Sequence, residues 1–152
     1  MSLESVRQFF SEHAPDISVI VTEASSATVA LAAEAHGVEP DQIAKTICLR
    51  IGEDVVLVVT AGTKRLDNRK FKDRFGVKPR MLDAEAVVEA TGHPVGGVCP
   101  FGLPSPLKVY CDLSLQDFEE VVPAAGATNA AVKIAPERMR SLVNGEWADL
   151  CQ

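Results

Sequence analysis

The sequence predicts an α+β (α/β) fold, a mixed, strongly twisted and partly barrel-like β-sheet flanked by helices. Three observations carry that prediction. Two β-branched runs, 43–51 and 54–60, stand on either side of Gly52-Glu53 and read as a central hairpin. Around them lie segments with apolar residues at helical spacing, each opened by a capping residue or closed by glycine. Between 92 and 106 the chain then carries four glycines and four prolines, which neither a helix interior nor a central strand accommodates. With 152 residues, 47% of them hydrophobic and 24% charged, the chain has material for one core and reads as one domain spanning 1–152.

Taken in order, Leu3, Val6, Phe9 and Phe10 form a helical stripe that ends near His13, ahead of Pro15. Residues 17–22 read as a strand, and Ser25 or Ser26 caps a helix running through Val29 and Leu31 to Gly37. The hairpin of 43–51 and 54–60 follows. Asp67 caps a short basic helix that stops at Gly76, 78–82 can form a strand, and Asp83 caps a helix ending at Thr91-Gly92. Val95, Val98, Phe101 and Leu103 give the loop of 92–106 apolar side chains, so it is packed down and not a solvated linker. Residues 107–111 read as a strand, Ser114 caps a helix through Phe118, and Val121-Val122 is a short strand before a second glycine loop, 123–129. A strand at 130–135 and a helix from Pro136 to Asn144-Gly145 complete the chain.

A net charge of −6 argues against nonspecific coating of nucleic acid. That average hides a basic segment: eight of the fifteen lysines and arginines, among them Lys64, Arg65, Arg69, Lys70 and Lys72, fall between 64 and 80. Such a run is either the solvated face of a helix or a surface that meets phosphate. No apolar stretch is long enough for a membrane span, and the first residues lack a signal-peptide pattern, so a cytoplasmic location without membrane contact is expected. The four cysteines, Cys48, Cys99, Cys111 and Cys151, have neither the spacing nor the histidine neighbours of a zinc site, so free thiols, no metal and no cofactor are expected.

Common catalytic signatures are missing, and with three histidines in the chain any catalysis would lean on backbone and lysine. Alternation in the strand 43–51 turns Lys45 to the same face as Ile43, Ile47, Leu49 and Ile51. A lysine on a core face either snorkels to water at an edge or holds negative charge at a cavity mouth. In Gly96-Gly97-Val98-Cys99-Pro100, adjacent glycines let backbone N–H groups approach a ligand, as an oxyanion hole requires, or else make a tight turn. The loop Ala125-Gly126-Ala127-Thr128-Asn129 could line the same pocket.

Asp41-Gln42-Ile43-Ala44-Lys45-Thr46, then Thr91-Gly92-His93-Pro94-Val95-Gly96-Gly97-Val98-Cys99-Pro100-Phe101-Gly102, then Ala125-Gly126 before a strand, resemble the YbaK/EbsC family, related to the editing insertion of prolyl-tRNA synthetases. The resemblance spans nearly the whole chain. It implies a free-standing aminoacyl-tRNA deacylase that clears a small wrong amino acid, such as alanine or cysteine, from tRNA-Pro. Lys45 would secure the terminal adenosine and phosphate, Gly96, Gly97, Val98, Cys99 and Pro100 would form the loop that holds the acyl carbonyl, and Gly126 would lie beside it. Thr46, His93, Phe101 and Asn129 would contact substrate, and the basic segment would meet the acceptor stem. Aminoacyl-tRNA is the implied partner, with a tRNA synthetase as a candidate second one and no role for DNA. Cys99 departs from relatives that carry serine or threonine there. Two other readings stand beside this one: a noncatalytic tRNA- or synthetase-binding module of the same fold, and a thiol hydrolase using Cys99 with His93.

Overall fold

A computed structural model describes residues 2–152. In chain order it contains α1 (Ser2–His13), β1 (Ile20–Val21), α2 (Val29–His36), β2 (Ile43–Ile51), β3 (Asp54–Ala61), α3 (Asn68–Phe75), β4 (Arg80–Met81), α4 (Ala84–Thr91), β5 (Lys108–Asp112), β6 (Val122–Pro123), β7 (Ala130–Ala131), α5 (Pro136–Leu142) and β8 (Glu146–Ala148), with 3-10 turns at Pro40–Gln42 and Leu113–Asp117.

Local chemistry accounts for most boundaries. Asp67 and Asp83 cap α3 and α4 by accepting backbone N–H groups of the first turn, and Gly76 and Gly92 close those helices in the left-handed region, at φ 77° and 74°. The cap of α2 is Thr28, whose hydroxyl accepts from Leu31 N–H, and neither Ser25 nor Ser26. Ser26 is used elsewhere, its amide and hydroxyl both donating to the Thr128 carbonyl. The helix expected from Ser114 is a 3-10 turn: Asp112 takes the Ser114 N–H, and the Ser114 hydroxyl accepts from Ala61.

The sheet runs in the order β4-β2-β3-β5-β8, with β6 also on β2. β2 and β3 are antiparallel from Ala44↔Ala61 to Ile51↔Asp54, whereas β3–β5, β5–β8 and β2–β6 are parallel. β1 and β7 form a separate antiparallel ribbon. The mixed sheet flanked by helices is the one expected from the sequence, but it is open at both sides, so its partly barrel-like character is not found: the outer strands β4 and β8 are two and three residues long and end in edges. The strands expected at 17–22, 78–82 and 130–135 shrink to two residues each, because Ile20, Val21 and Met81 are exposed and Pro123 interrupts the ladder facing 130–135.

One face of the sheet, with Leu57, Val59, Val109 and Cys111, packs against Val6 and Phe10 of α1, Val87 of α4 and Met139 of α5. The other, with Leu49, Val56 and Val58, packs against Phe71 of α3 and Leu150. Phe101 is fully buried and lies 4.7 Å from the Phe10 ring and 5.6 Å from the Phe9 ring, which fastens the proline- and glycine-rich loop to α1.

Candidate active site

The outer edge of β2 is shared by two short strands. β6 pairs with Ile43 and Ala44, β4 with Leu49 and Arg50, and residues 45–48 lie between them without a strand partner. Over this break sits a cavity of about 320 Å³. Residues 43–48 of β2 form its floor, residues 26–29 and Ala32 one wall, Gly96 and Val98 another, and Met81, Leu82 and Val87 the rim. Its lining is mostly alanine, valine and isoleucine, and it includes no carboxylate.

Close packing of glycine builds the loop wall. A Cβ on Gly97 would lie 2.7 Å from the Ala127 nitrogen, and one on Gly96, at φ 91°, would lie 2.9 Å from Ala27 Cβ. Gly97 N–H donates to the Pro94 carbonyl and its own carbonyl accepts Gly126 N–H. The N–H groups of Gly96 and Val98, both residues on the cavity wall, have no acceptor among the described residues. Two unspent donors on one wall of an apolar cavity can stabilise a developing oxyanion.

Lys45 stands in the alternating set of β2 with Ile43, Ile47, Leu49 and Ile51, and it is one of the residues that line the cavity. Its ammonium donates to the Lys64 carbonyl at 2.5 Å. Burial pulls its pKa below the ordinary lysine value, Cys151 and Asp41 opposing that shift and Arg65 adding to it. With one donor spent, two remain for an anion.

Behind the loop, His93 is fully buried: Nε2 donates to the Phe101 carbonyl at 2.7 Å, and Nδ1 lies 2.5 Å from the Ser2 hydroxyl, whose single proton serves either Nδ1 or the adjacent Gly126 carbonyl. Burial lowers its pKa, so the imidazole is neutral at neutral pH. Cys99 Sγ is 3.5 Å from Nε2, the nitrogen whose proton goes to Phe101, and burial pushes the thiol up to about 12. Such burial favours the protonated thiol at neutral pH, which argues against Cys99 as a nucleophile.

The structure thus brings Lys45, Thr46, Gly96 and Val98 to one cavity. Gly97, Cys99, Pro100, Phe101, His93 and Gly126 are buried behind it, and Asn129 binds Thr22 through backbone and side chain. In the basic segment, Lys70 is tied to Asp149 and the Cys151 carbonyl, whereas Lys64, Arg65, Arg69 and Lys72 form no ion pair among the described residues. The lining from 26–29 and 81–87 and the break in the strand edge were not read from the sequence, and Val95, expected to help pack the 92–106 loop down, is instead exposed while Phe101 is buried. No group of three metal-ligating side chains converges among the described residues, and no helix is long and apolar enough to cross a membrane.

Residues 23–142 match the family model described as the aminoacyl-tRNA editing domain. The chain is 44% identical over 154 residues to "Uncharacterized protein YwhH" of Bacillus subtilis, covering 100% of this chain and 98% of that one. It is 30% identical over 121 residues to "Putative Cys-tRNA(Pro)/Cys-tRNA(Cys) deacylase EbsC" of Enterococcus faecalis, covering 78% of this chain and 73% of that one. A crystal structure of "a putative trans-editing enzyme for prolyl tRNA synthetase" superposes with a TM-score of 0.92 at 31% identity, over 99% of this chain and 97% of that one.

Proposed function

The chain belongs to the aminoacyl-tRNA editing domain family, and from that premise we propose that it is a free-standing deacylase that hydrolyses the ester of mischarged tRNA, with tRNA-Pro carrying alanine or cysteine as its substrate. The observation that carries this reading is the pair of unspent amides, Gly96 and Val98, on the wall of a small apolar cavity. The acyl side chain enters that cavity, and the carbonyl oxygen lies against the two amides. Water attacks the carbonyl carbon, assisted by the free hydroxyl of the substrate's terminal ribose, and the negative charge that develops on the oxygen is met by donors already in position. The bond from carbon to the ribose oxygen breaks and that oxygen takes the proton, giving free amino acid and uncharged tRNA. Lys45, a lining residue whose ammonium keeps two donors, holds a phosphate of the terminal nucleotide in this reading.

No protein nucleophile is needed, which suits a site whose two nearby thiols, Cys48 on the cavity lining and Cys99 behind it, are both buried and have their pKa values raised by that burial. Alanine and valine side chains on the wall limit the acyl group by size, a filter worth about 1–3 kcal/mol per methylene. The likenesses to EbsC and to the trans-editing structure support the same assignment. A synthetase as second partner and a cytoplasmic location belong to this proposal, because a trans-editing enzyme works where charged tRNA is made.

The test is hydrolysis of alanyl-, cysteinyl-, seryl-, threonyl- and prolyl-tRNA by the wild-type chain and by Lys45→Ala. Clearance of alanyl- or cysteinyl-tRNA-Pro that Lys45→Ala loses is the expected result. A chain that binds tRNA yet clears no ester above the buffer rate is the noncatalytic module instead.

A further inference from the structure

The break in the sheet edge has a polarity that follows from the register. Ala61 sends its N–H to the Ser114 hydroxyl and its carbonyl to Lys64 N–H, both away from β2. In an antiparallel ladder, residues alternate between exchanging both backbone hydrogen bonds with the partner strand and exchanging none. Ala44, opposite Ala61, therefore exchanges none with β3, and the same holds at every second position, Thr46, Cys48 and Arg50. These residues direct N–H and C=O to the outer edge. Ala44 meets β6 there and Arg50 meets β4, but Thr46 and Cys48, inside the break, have no strand partner on that edge among the described residues, and Thr46 is the polar one of the two. Its side-chain hydroxyl is also buried without a partner. Thr46 thus leaves a donor, an acceptor and a hydroxyl unspent, and it lines the cavity.

Of the other polar side chains on the lining, the Ser26 hydroxyl donates to the Thr128 carbonyl, the Thr28 hydroxyl caps α2, and the Lys45 ammonium, with one donor on the Lys64 carbonyl, is a donor only and offers an amino group no acceptor. No carboxylate lines the cavity, so an amino group brought into it must be met by a backbone carbonyl. An α-amino ester with an extended backbone presents its amino N–H and its carbonyl oxygen side by side, as one residue of a β-strand does. That is the complement of a strand edge whose N–H and C=O are both free.

We infer that Thr46 recognises the α-amino group of the substrate through its backbone, the amino acid taking the place of the strand residue missing between β6 and β4. The Thr46 carbonyl accepts from the amino group, the Thr46 N–H donates to the acyl oxygen beside the Gly96 and Val98 amides, and the side chain is left to the apolar cavity. This rests on the deacylase reading and narrows it: the substrate must carry a free α-amino group, so N-blocked esters, peptidyl-tRNA among them, are excluded.

The experiment uses the wild-type chain and one tRNA carrying alanyl, lactyl, propionyl or N-acetylalanyl groups, each rate divided by the ester's own hydrolysis in buffer, since an ammonium activates its ester. Propionyl is alanyl without the amino group and adds no bulk, so it separates recognition from size. The acceleration for propionyl should fall ~10- to 100-fold below that for alanyl, the worth of one hydrogen bond to a charged group. Lactyl, which keeps a donor, should lie between, and N-acetylalanyl should not be cleared. Equal acceleration of alanyl and propionyl esters overturns the inference and leaves the deacylase intact. Acceleration of none of the four overturns the deacylase reading, and this inference with it.

Discussion

The Gly97 carbonyl accepts the Gly126 N–H at 3.0 Å, a bond that ties together two loops far apart in the chain. Gly97 has no room for a side chain, because its Cβ would come within 2.9 Å of three backbone atoms of Ala127. Gly97→Ala should destabilise the protein by about 1–3 kcal/mol, the cost of overpacking an interior that cannot give way. A lowered urea midpoint with an unchanged slope is the expected reading. An unchanged midpoint would show that the two loops are not held together.

Cys99 should be dispensable for chemistry. Cys99→Ala should leave deacylation close to wild type, with a loss of stability of about 1 kcal/mol for the buried atom removed, whereas a thiol mechanism would lose all activity. The same burial gives an alkaline limb. The thiol's folded pKa, pushed up to about 12, lies above its unfolded value of 9.0, so its contribution is fully present below pH 9 and is lost as pH rises toward 12. Each unit in that window costs about 1.4 kcal/mol for such a group. Urea midpoints at pH 8 and pH 10.5 should therefore converge in Cys99→Ala relative to wild type.

His93 sets an acid limb with the opposite sign. Burial depresses its folded pKa below the unfolded value of 6.5, so the folded chain takes the proton less readily than the unfolded one. Stability is full above pH 6.5 and falls as pH drops below it. His93→Gln does not titrate and should flatten this limb, leaving the part that comes from His36, whose pKa burial also lowers. A wild-type urea midpoint as high at pH 5 as at pH 7.5 would be incompatible with a buried neutral imidazole at this position.

What the sequence reveals here depends on range. The caps Asp67 and Asp83, the closing glycines Gly76 and Gly92 and the 43–61 hairpin are written in neighbouring residues, and the structure keeps each of them. Lys45 was legible because alternation along a strand is local as well. The break opposite Thr46 was not, since it comes from two strands of two residues each, β4 and β6, arriving on one edge from distant parts of the chain. β8 was missed for a similar reason: Glu146-Trp147-Ala148 is too short to show a period and becomes a strand because β5 offers it an edge. The short list of candidate residues also mixed wall with scaffold, because a buried Cys99 and a cavity-lining Val98 differ by one position in the chain.

Ionic strength offers a way to decide whether the basic segment meets RNA. Lys72 and Arg69 project from α3 into solvent without a carboxylate partner among the described residues, whereas the Lys70 ammonium is 2.9 Å from Asp149 and 2.7 Å from the Cys151 carbonyl. A phosphate contact releases a counterion, so removing one contacting cation should lower the slope of log affinity against log salt by about one. Lys72→Ala and Arg69→Ala should each do so. Lys70→Ala should not, because its charge is paired with Asp149 and two of its three donors are spent within the protein. Equal effects at all three positions would mean that the Asp149 pair opens on binding. No effect at any of them would make α3 an ordinary solvated helix and move the RNA-facing surface to the side of Lys64 and Arg65, which lie next to the Lys45 ammonium.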